Sequence, residues 1–492
     1  MIDQLPALQI VVPLLAAPIC FLIRRLSLVR AFAILVTWVV LAISLKLLDT
    51  VLTEGTISYA MGGWPPPLGI EYRIDILNAY VLVIIAAISV VVLPFGMGSV
   101  EMRIPPNRRY LFYTAFLLCI TGQMGVAITG DAFNIFVFIE ITSLASYTLI
   151  SLGQSRKALR GAFSYLVMGS IGGSFILIGI GLMYQMTGTL NLSDLAERLP
   201  AVMDTRTIWM AFAFLMVGVS IKLAVFPLHQ WLPDAYTYAP SAVSAFLAAT
   251  ATKIYYYVLV RLIFTVFGVA FVFEKIELHL LLVPLSILAM FIGSITAIYQ
   301  ENMKRLLAYS SIAQVGYMTL GLSFANLEGL TGGLVHLFNH ALMKGGLFLA
   351  IACVTFRLGS SDVKTLAGLG RRMPFTMAAF VVGGLSLIGI PGTVGFISKW
   401  YLILGALEND WYLVAALICL SSLIAVLYVW RIVEIAYFHE SDDQSTTGQE
   451  APLRILIPTW ILIGGSVFFG FTTDLTAGVA ERAALHLLGG AP

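Results

Sequence analysis

Charge is what this sequence has least of. Only 11% of its 492 residues are charged, 59% are apolar, and the mean hydropathy is +0.94. So few charges cannot cover the surface of a water-soluble protein, so a soluble enzyme is excluded. The net charge is only +2, and no basic tract exists to bind nucleic acid. Cysteine is scarce too. Cys20, Cys119, Cys353 and Cys419 sit in apolar runs without pairwise spacing, so they read as packing residues, not as a disulfide frame or metal site. No phosphate-binding loop, dinucleotide fingerprint, flavin site or iron–sulfur motif occurs, so no cofactor is expected. The first apolar run lacks a basic start and a small-residue cleavage site, so it is read as a span and not a removable signal.

What the chain does have is apolar runs of about 20 residues from end to end, the mark of an all-α polytopic membrane protein seated in the lipid bilayer. About fourteen transmembrane helices are expected, at 6–23, 28–50, 76–99, 109–129, 132–152, 160–187, 207–232, 238–266, 278–299, 304–324, 329–356, 374–407, 411–432 and 453–472. With both termini outside, the cytoplasmic loops collect most of the cations, among them Arg24, Arg25, Arg108, Arg109, Arg156, Lys157, Lys304, Arg305, Arg371 and Arg372. Lys222, Lys253, Lys344 and Lys399 remain, and all four fall well inside spans. The soluble parts are small. Residues 51–75 are expected to lack regular structure because of GGWPPPLGI, 188–206 and 357–373 have room for short surface helices, and 439–453 reads as a polar, mobile loop.

The stretch VGVSIKLAVFPLHQWLPDAY (217–236) places Lys222 about fifteen residues into an apolar span, near mid-membrane at about 1.5 Å per residue, and then breaks the helix at Pro227. A lysine at that depth is costly and marks a functional site. A second interrupted helix, SLIGIPGTVGFISKWYL, breaks at Gly389, Pro391 and Gly392 and carries Lys399 after the break. Both are the fourth helix of a five-helix set, and an odd number of helices inverts the second set relative to the first. The expected domains are an N-terminal three-helix region (1–108), two inverted five-helix repeats (109–266 and 278–432), each with a broken helix and each a proton half-channel, and a C-terminal loop and helix (433–492). Inverted repeats with paired broken helices are the pattern of ion-coupled transporters.

The remaining buried charges extend this pattern. Glu140 lies two turns into GDAFNIFVFIEITSLASYTLISL, and Lys222 is its natural partner at the same depth. A Glu–Lys pair in a low dielectric can be switched by one proton. Lys253, in FLAATATKIYYYVLV, is followed by Tyr255, Tyr256 and Tyr257, and hydroxyls beside a desolvated lysine suit a proton relay. His336, His340 and Lys344 recur every four residues and share one helix face. Two histidines four apart can bind zinc, but no carboxylate or cysteine stands near to complete a site, so no metal is expected and a proton path is preferred. Glu140, Lys222, Lys253, His336, His340 and Lys399 would form a polar line across the bundle that carries protons.

These same motifs carry a family likeness over nearly the whole chain. GDAFNIFVFIE (130–140), the stretch at 217–236, ENMKRLLAYSSIAQVGYM (301–318), HLFNHALMKGGLF (336–348) and GIPGTVGFISKWYL (389–402) resemble the antiporter-like subunits of respiratory complex I, membrane-bound hydrogenases and Mrp antiporters. GGWPPPLGI and YQMTGTLNLSDLAERL (184–199) resemble the D-type subunit of the Mrp antiporter, whereas GIPGTVGFISKWYL is nearer the complex I and hydrogenase versions. The resemblance implies a coupled pair in Glu140 and Lys222, a central relay in Lys253, connecting histidines in His336 and His340, and a terminal residue in Lys399. It implies a proton-translocating subunit of a monovalent cation (Na+)/proton antiporter, a secondary transporter and not an enzyme. The alternative is a non-redox pumping subunit of an NADH:quinone oxidoreductase or membrane-bound hydrogenase. Implied partners are a larger antiporter-like subunit and small membrane subunits, in a bacterial inner (plasma) membrane.

Overall fold

The computed structural model describes residues 4–153, 155–440 and 449–489. Its helices are, in order, α1 (Leu5–Ile23), α2 (Leu26–Glu54), α3 (Ile76–Arg103), α4 (Arg109–Ile128), α5 (Ala132–Ser151), α6 (Arg156–Thr187), α7 (Leu192–Arg198), α8 (Arg206–Leu223), α9 (Trp231–Tyr238) and α10 (Ser241–Val260). There follow α11 (His279–Ile298), α12 (Met303–Ser323), α13 (Leu327–Leu358), α14 (Leu369–Arg372), α15 (Pro374–Ile388), α16 (Val394–Glu408), α17 (Tyr412–Phe438), α18 (Leu453–Phe471) and α19 (Val479–Leu487). Polar side chains start many of them. Asp75 and Asn78 form a reciprocal cap on α3, and Asp131, Ser155, Asn191, Thr205, Asn302 and Asn326 accept from backbone amides at the next helix starts.

Twelve helices among the described residues are long and apolar enough to cross a bilayer. The protein is an integral, multi-pass, helical membrane protein. Two of the expected spans fall outside the twelve. The one at 304–324 is α12, whose buried Ser310, Ser311, Gln314 and Thr319 lower its hydropathy. The one at 374–407 is divided into α15 and α16, of 15 residues each. The centre of the molecule is α10 and α13. Every residue of α10 is buried, and α13 packs against α3, α10, α12, α15, α16 and α18. By contrast α1, α2, α6, α11 and α17 turn a large apolar share outward, as a lipid-facing helix must.

One loop expectation needs adjusting. Residues 51–75 are not irregular throughout. Ile57–Ala60 and Glu71–Ile74 pair as an antiparallel ribbon, β1 and β2, with Tyr59 opposite Tyr72. The prolines are confined to the connecting loop, which leaves β-branched and aromatic residues free to pair. Short helices do form at α7 and α14, and most of the loop at 439–453 lies outside the described residues. Cys20, Cys119 and Cys353 are buried, whereas Cys419 is exposed on the outer side of α17.

Candidate functional site: a line of buried charges

The first broken helix ends at Leu223 because Ala224 turns into the left-handed region (φ 63°), where Ala224 and Val225 donate back to Ile221 and Ser220. Trp231, at the start of α9, donates its indole N–H to the Ile221 carbonyl (2.8 Å) and stacks on Tyr165 of α6 at 3.9 Å. The break is therefore bridged by protein, as irregular backbone at membrane depth requires. Lys222 sits in the last turn of α8 and is fully buried. Its Nζ donates to Glu140 Oε1 of α5 at 3.0 Å and to Ser143 Oγ at 2.8 Å. Glu140 keeps 29% of its side chain exposed. Room for its carboxylate comes from α6: a Cβ on Gly173 would lie 2.4 Å from Glu140 Oε1. Ser143 in turn lies 3.5 Å from the Tyr255 hydroxyl of α10.

Lys253 is fully buried, and its ammonium turns back along its own helix to the Ala248 carbonyl (2.5 Å), with Thr252 Oγ1 at 3.4 Å. The three tyrosines that follow it do not gather around its ammonium. Successive helical residues point about 100° apart, so the three tyrosines diverge. Tyr255 faces Ser143, Tyr256 donates to the Met318 carbonyl, and Tyr257 donates to the Ala127 carbonyl.

His336, His340 and Lys344 are all fully buried on α13. The two imidazoles lie with ring centroids 6.0 Å apart and nearly parallel. His336 Nδ1 pairs with Ser398 Oγ at 2.8 Å, and neither nitrogen of His340 has a hydrogen-bond partner among the described residues. Lys344 leaves the line, donating to the Leu307 carbonyl (2.9 Å) and to Ser310 of α12.

The second broken helix ends at Gly389 in the left-handed region (φ 92°), and α16 begins at Val394. Lys399, 5% exposed, reaches back across the break to the Leu387 (3.2 Å) and Ile388 (2.7 Å) carbonyls at the end of α15. Those carbonyls have no helical donor and carry the negative end of the helix dipole. Above them the Tyr317 ring of α12 lies 4.9 Å from Lys399 Nζ and 5.7 Å from the His336 ring. The fold thus brings Glu140 to Lys222, His336 to His340, and Lys399 to His336 through Ser398 and Tyr317. Among the described residues, no direct hydrogen bond joins Lys253 to either group. The sequence reading overlooked Ser143, Ser398, Tyr317 and Gly173. Ser143 had a signal, three residues after Glu140 on the same face, and so did Ser398, next to Lys399.

A helical bundle with two interrupted helices, each carrying a buried lysine, is the architecture of an antiporter-like protein. The chain belongs to the NADH:quinone oxidoreductase/Mrp antiporter transmembrane family, whose model matches residues 129–425. It is similar to NADH-quinone oxidoreductase subunit N of Desulforudis audaxviator, at 39% identity over 98% of this chain and 99% of the relative. It is also similar to the D-type Na+/H+ antiporter subunit of Bacillus subtilis, at 30% identity over 98% and 96%. Among solved structures, a chain of the membrane-bound sulfane sulfur reductase, an archaeal respiratory membrane complex, superposes with a TM-score of 0.91 at 31% identity over 99% of this chain and 98% of that one.

Proposed function

We propose that this chain carries protons as one subunit of a multi-subunit monovalent cation (Na+)/proton antiporter of Mrp type, in a bacterial inner membrane. One observation carries the reading: a fully buried lysine on a broken helix, paired with a carboxylate 3.0 Å away and linked by a serine towards the central helix. A stability role accounts poorly for it, because a buried ion pair holds a fold no better than apolar packing. Glu140 and Lys222 form the input pair, Lys253 is the central relay, His336 and His340 connect, and Lys399 is the terminal site. Residues 109–266 and 278–432 act as two inverted half-channels in a fourteen-span chain, flanked by 1–108 and 433–492. The equal 32-residue lengths of α6 and α13 and the paired breaks after α8 and α15 support that division. A larger antiporter-like subunit and small membrane subunits complete the complex.

The 39% identity to an NADH-quinone oxidoreductase subunit favours a second reading, in which the same line pumps protons driven by electron transfer on other chains. The test is gentle purification of the native complex and proton flux in vesicles. A complex without flavin or iron–sulfur subunits whose proton flux follows a Na+ gradient supports the antiporter. Co-purifying redox subunits with flux that follows electron transfer support the pump. Unchanged flux in both Glu140→Ala and Lys222→Ala would overturn the assignment of the input pair in either complex.

A further inference from the structure

The central helix α10 does not end its chemistry at Lys253. Tyr257 and Arg261 follow at four-residue spacing, so all three residues share one face. At Arg261 the backbone widens into π-helical winding that runs to Phe267, a rare geometry that recurs at functional sites. Arg261 forms an ion pair with Asp75, the cap of α3, with side chains only 8% and 6% exposed. Its Nε also donates to the Tyr257 hydroxyl (3.1 Å), which donates to the Ala127 carbonyl (2.9 Å). Packing does not require an ion pair here, since apolar residues of the same volume would serve the fold as well.

This ion pair stands in the wall of a cavity. The cavity holds about 250 Å³ and is lined by Arg73, Asp75, Asn78, Tyr257, Arg261 and His486. A second cavity of about 490 Å³ shares Asp75 and His486 with it, so these two side chains stand between the two spaces. One water occupies about 30 Å³, so the first cavity has room for a chain of several. On the topology set by the cytoplasmic cations, this end of α10 faces outside. The lining carries Arg73, Arg261 and His486 around the single carboxylate of Asp75.

We propose that this cavity is the external port of the proton path, opening the face of α10 that carries Tyr257 and the Asp75–Arg261 pair to the outside, and that it admits water and protons. The proposal rests on the proton-carrying reading above. The test uses the intact complex in right-side-out and inverted vesicles, with the four native cysteines replaced. Thr265, whose hydroxyl lies 3.5 Å from Arg261 Nη1 and which lines the cavity, becomes the single cysteine through Thr265→Cys. A membrane-impermeant thiol reagent should lower flux about fivefold or more when added outside, and leave it unchanged when added inside. The double variant Asp75→Leu/Arg261→Met also removes the α3 cap, so its flux is read per assembled complex and should fall about tenfold or more. Lys222→Met runs alongside. Flux lost in Lys222→Met but kept after external labelling overturns the port and spares the wider reading. Flux kept in Lys222→Met overturns the wider reading itself. If the double variant fails to assemble, the labelling ratio alone decides.

Discussion

The two broken helices hold their lysines in opposite ways. Lys222 stands on the half-helix that ends at its break and meets a full countercharge, Glu140, from a neighbouring helix. Lys399 stands on the half-helix that begins after its break and reaches back to the Leu387 and Ile388 carbonyls. The first lysine is held by an ionisable side chain. The second is held by fixed partial charges, so its hold depends on the geometry of the break. On the proposed reading the first half responds to charge and the second to shape. A protein that couples a charge event in one half to a release event in the other needs both kinds of response.

That contrast can be broken experimentally. The largest effect is expected from Glu140→Ala, which leaves Lys222 buried with only Ser143. Proton flux should fall about a hundredfold, and assembled protein should lose about 3–5 kcal/mol. Lys399→Met should lower flux about as far but cost only about 1–3 kcal/mol, because the lost partners are carbonyls. Equal stability losses in thermal unfolding of the two variants would erase the distinction. Gly395→Ala comes next. A Cβ there would stand 1.8 Å from the Ser386 carbonyl oxygen, so α15 and α16 could not meet, and a loss of about 1–3 kcal/mol is expected in the same assay.

Smaller changes sharpen the comparison. Ser398→Ala removes the hydroxyl at His336 Nδ1, and flux should fall about tenfold at unchanged assembly, with Ser398→Thr restoring most of it. Gly173→Ala should displace only the flexible end of Glu140, lowering flux about threefold with stability nearly unchanged. The smallest effect is Ala224→Gly. Alanine in the left-handed region strains the first break by about 1 kcal/mol, so glycine should raise the unfolding temperature slightly, whereas Gly389→Ala should lower it.

Most of the site was legible in the sequence because charge is rare enough to be conspicuous. Glu140, Lys222, His336, His340 and Lys399 each stand out in apolar surroundings. Ser143 and Ser398 did not, because serine is common in membrane helices and their places beside Glu140 and Lys399 are a weak signal until a partner helix faces them. The tyrosines after Lys253 misled for the opposite reason. Three adjacent hydroxyls look like a cluster in one dimension, yet helical winding sends them to three different neighbours.

The sequence by itself determined the solvent, the class of fold and which helices break, though the first break falls at Ala224, three residues before Pro227. Lipid accepts only backbone that is internally satisfied, so length, hydropathy and proline are sufficient evidence for those features. Equal depth in the membrane pointed to the Glu140–Lys222 pairing, and tertiary structure made that contact and decided the others. Glu140 and Lys222 lie 82 positions apart, and Lys399 finds carbonyls 11 and 12 positions behind it across a break. The Asp75–Arg261 pair spans 186 positions. Helix periodicity fixes the face on which a side chain stands, but only packing brings two such faces together.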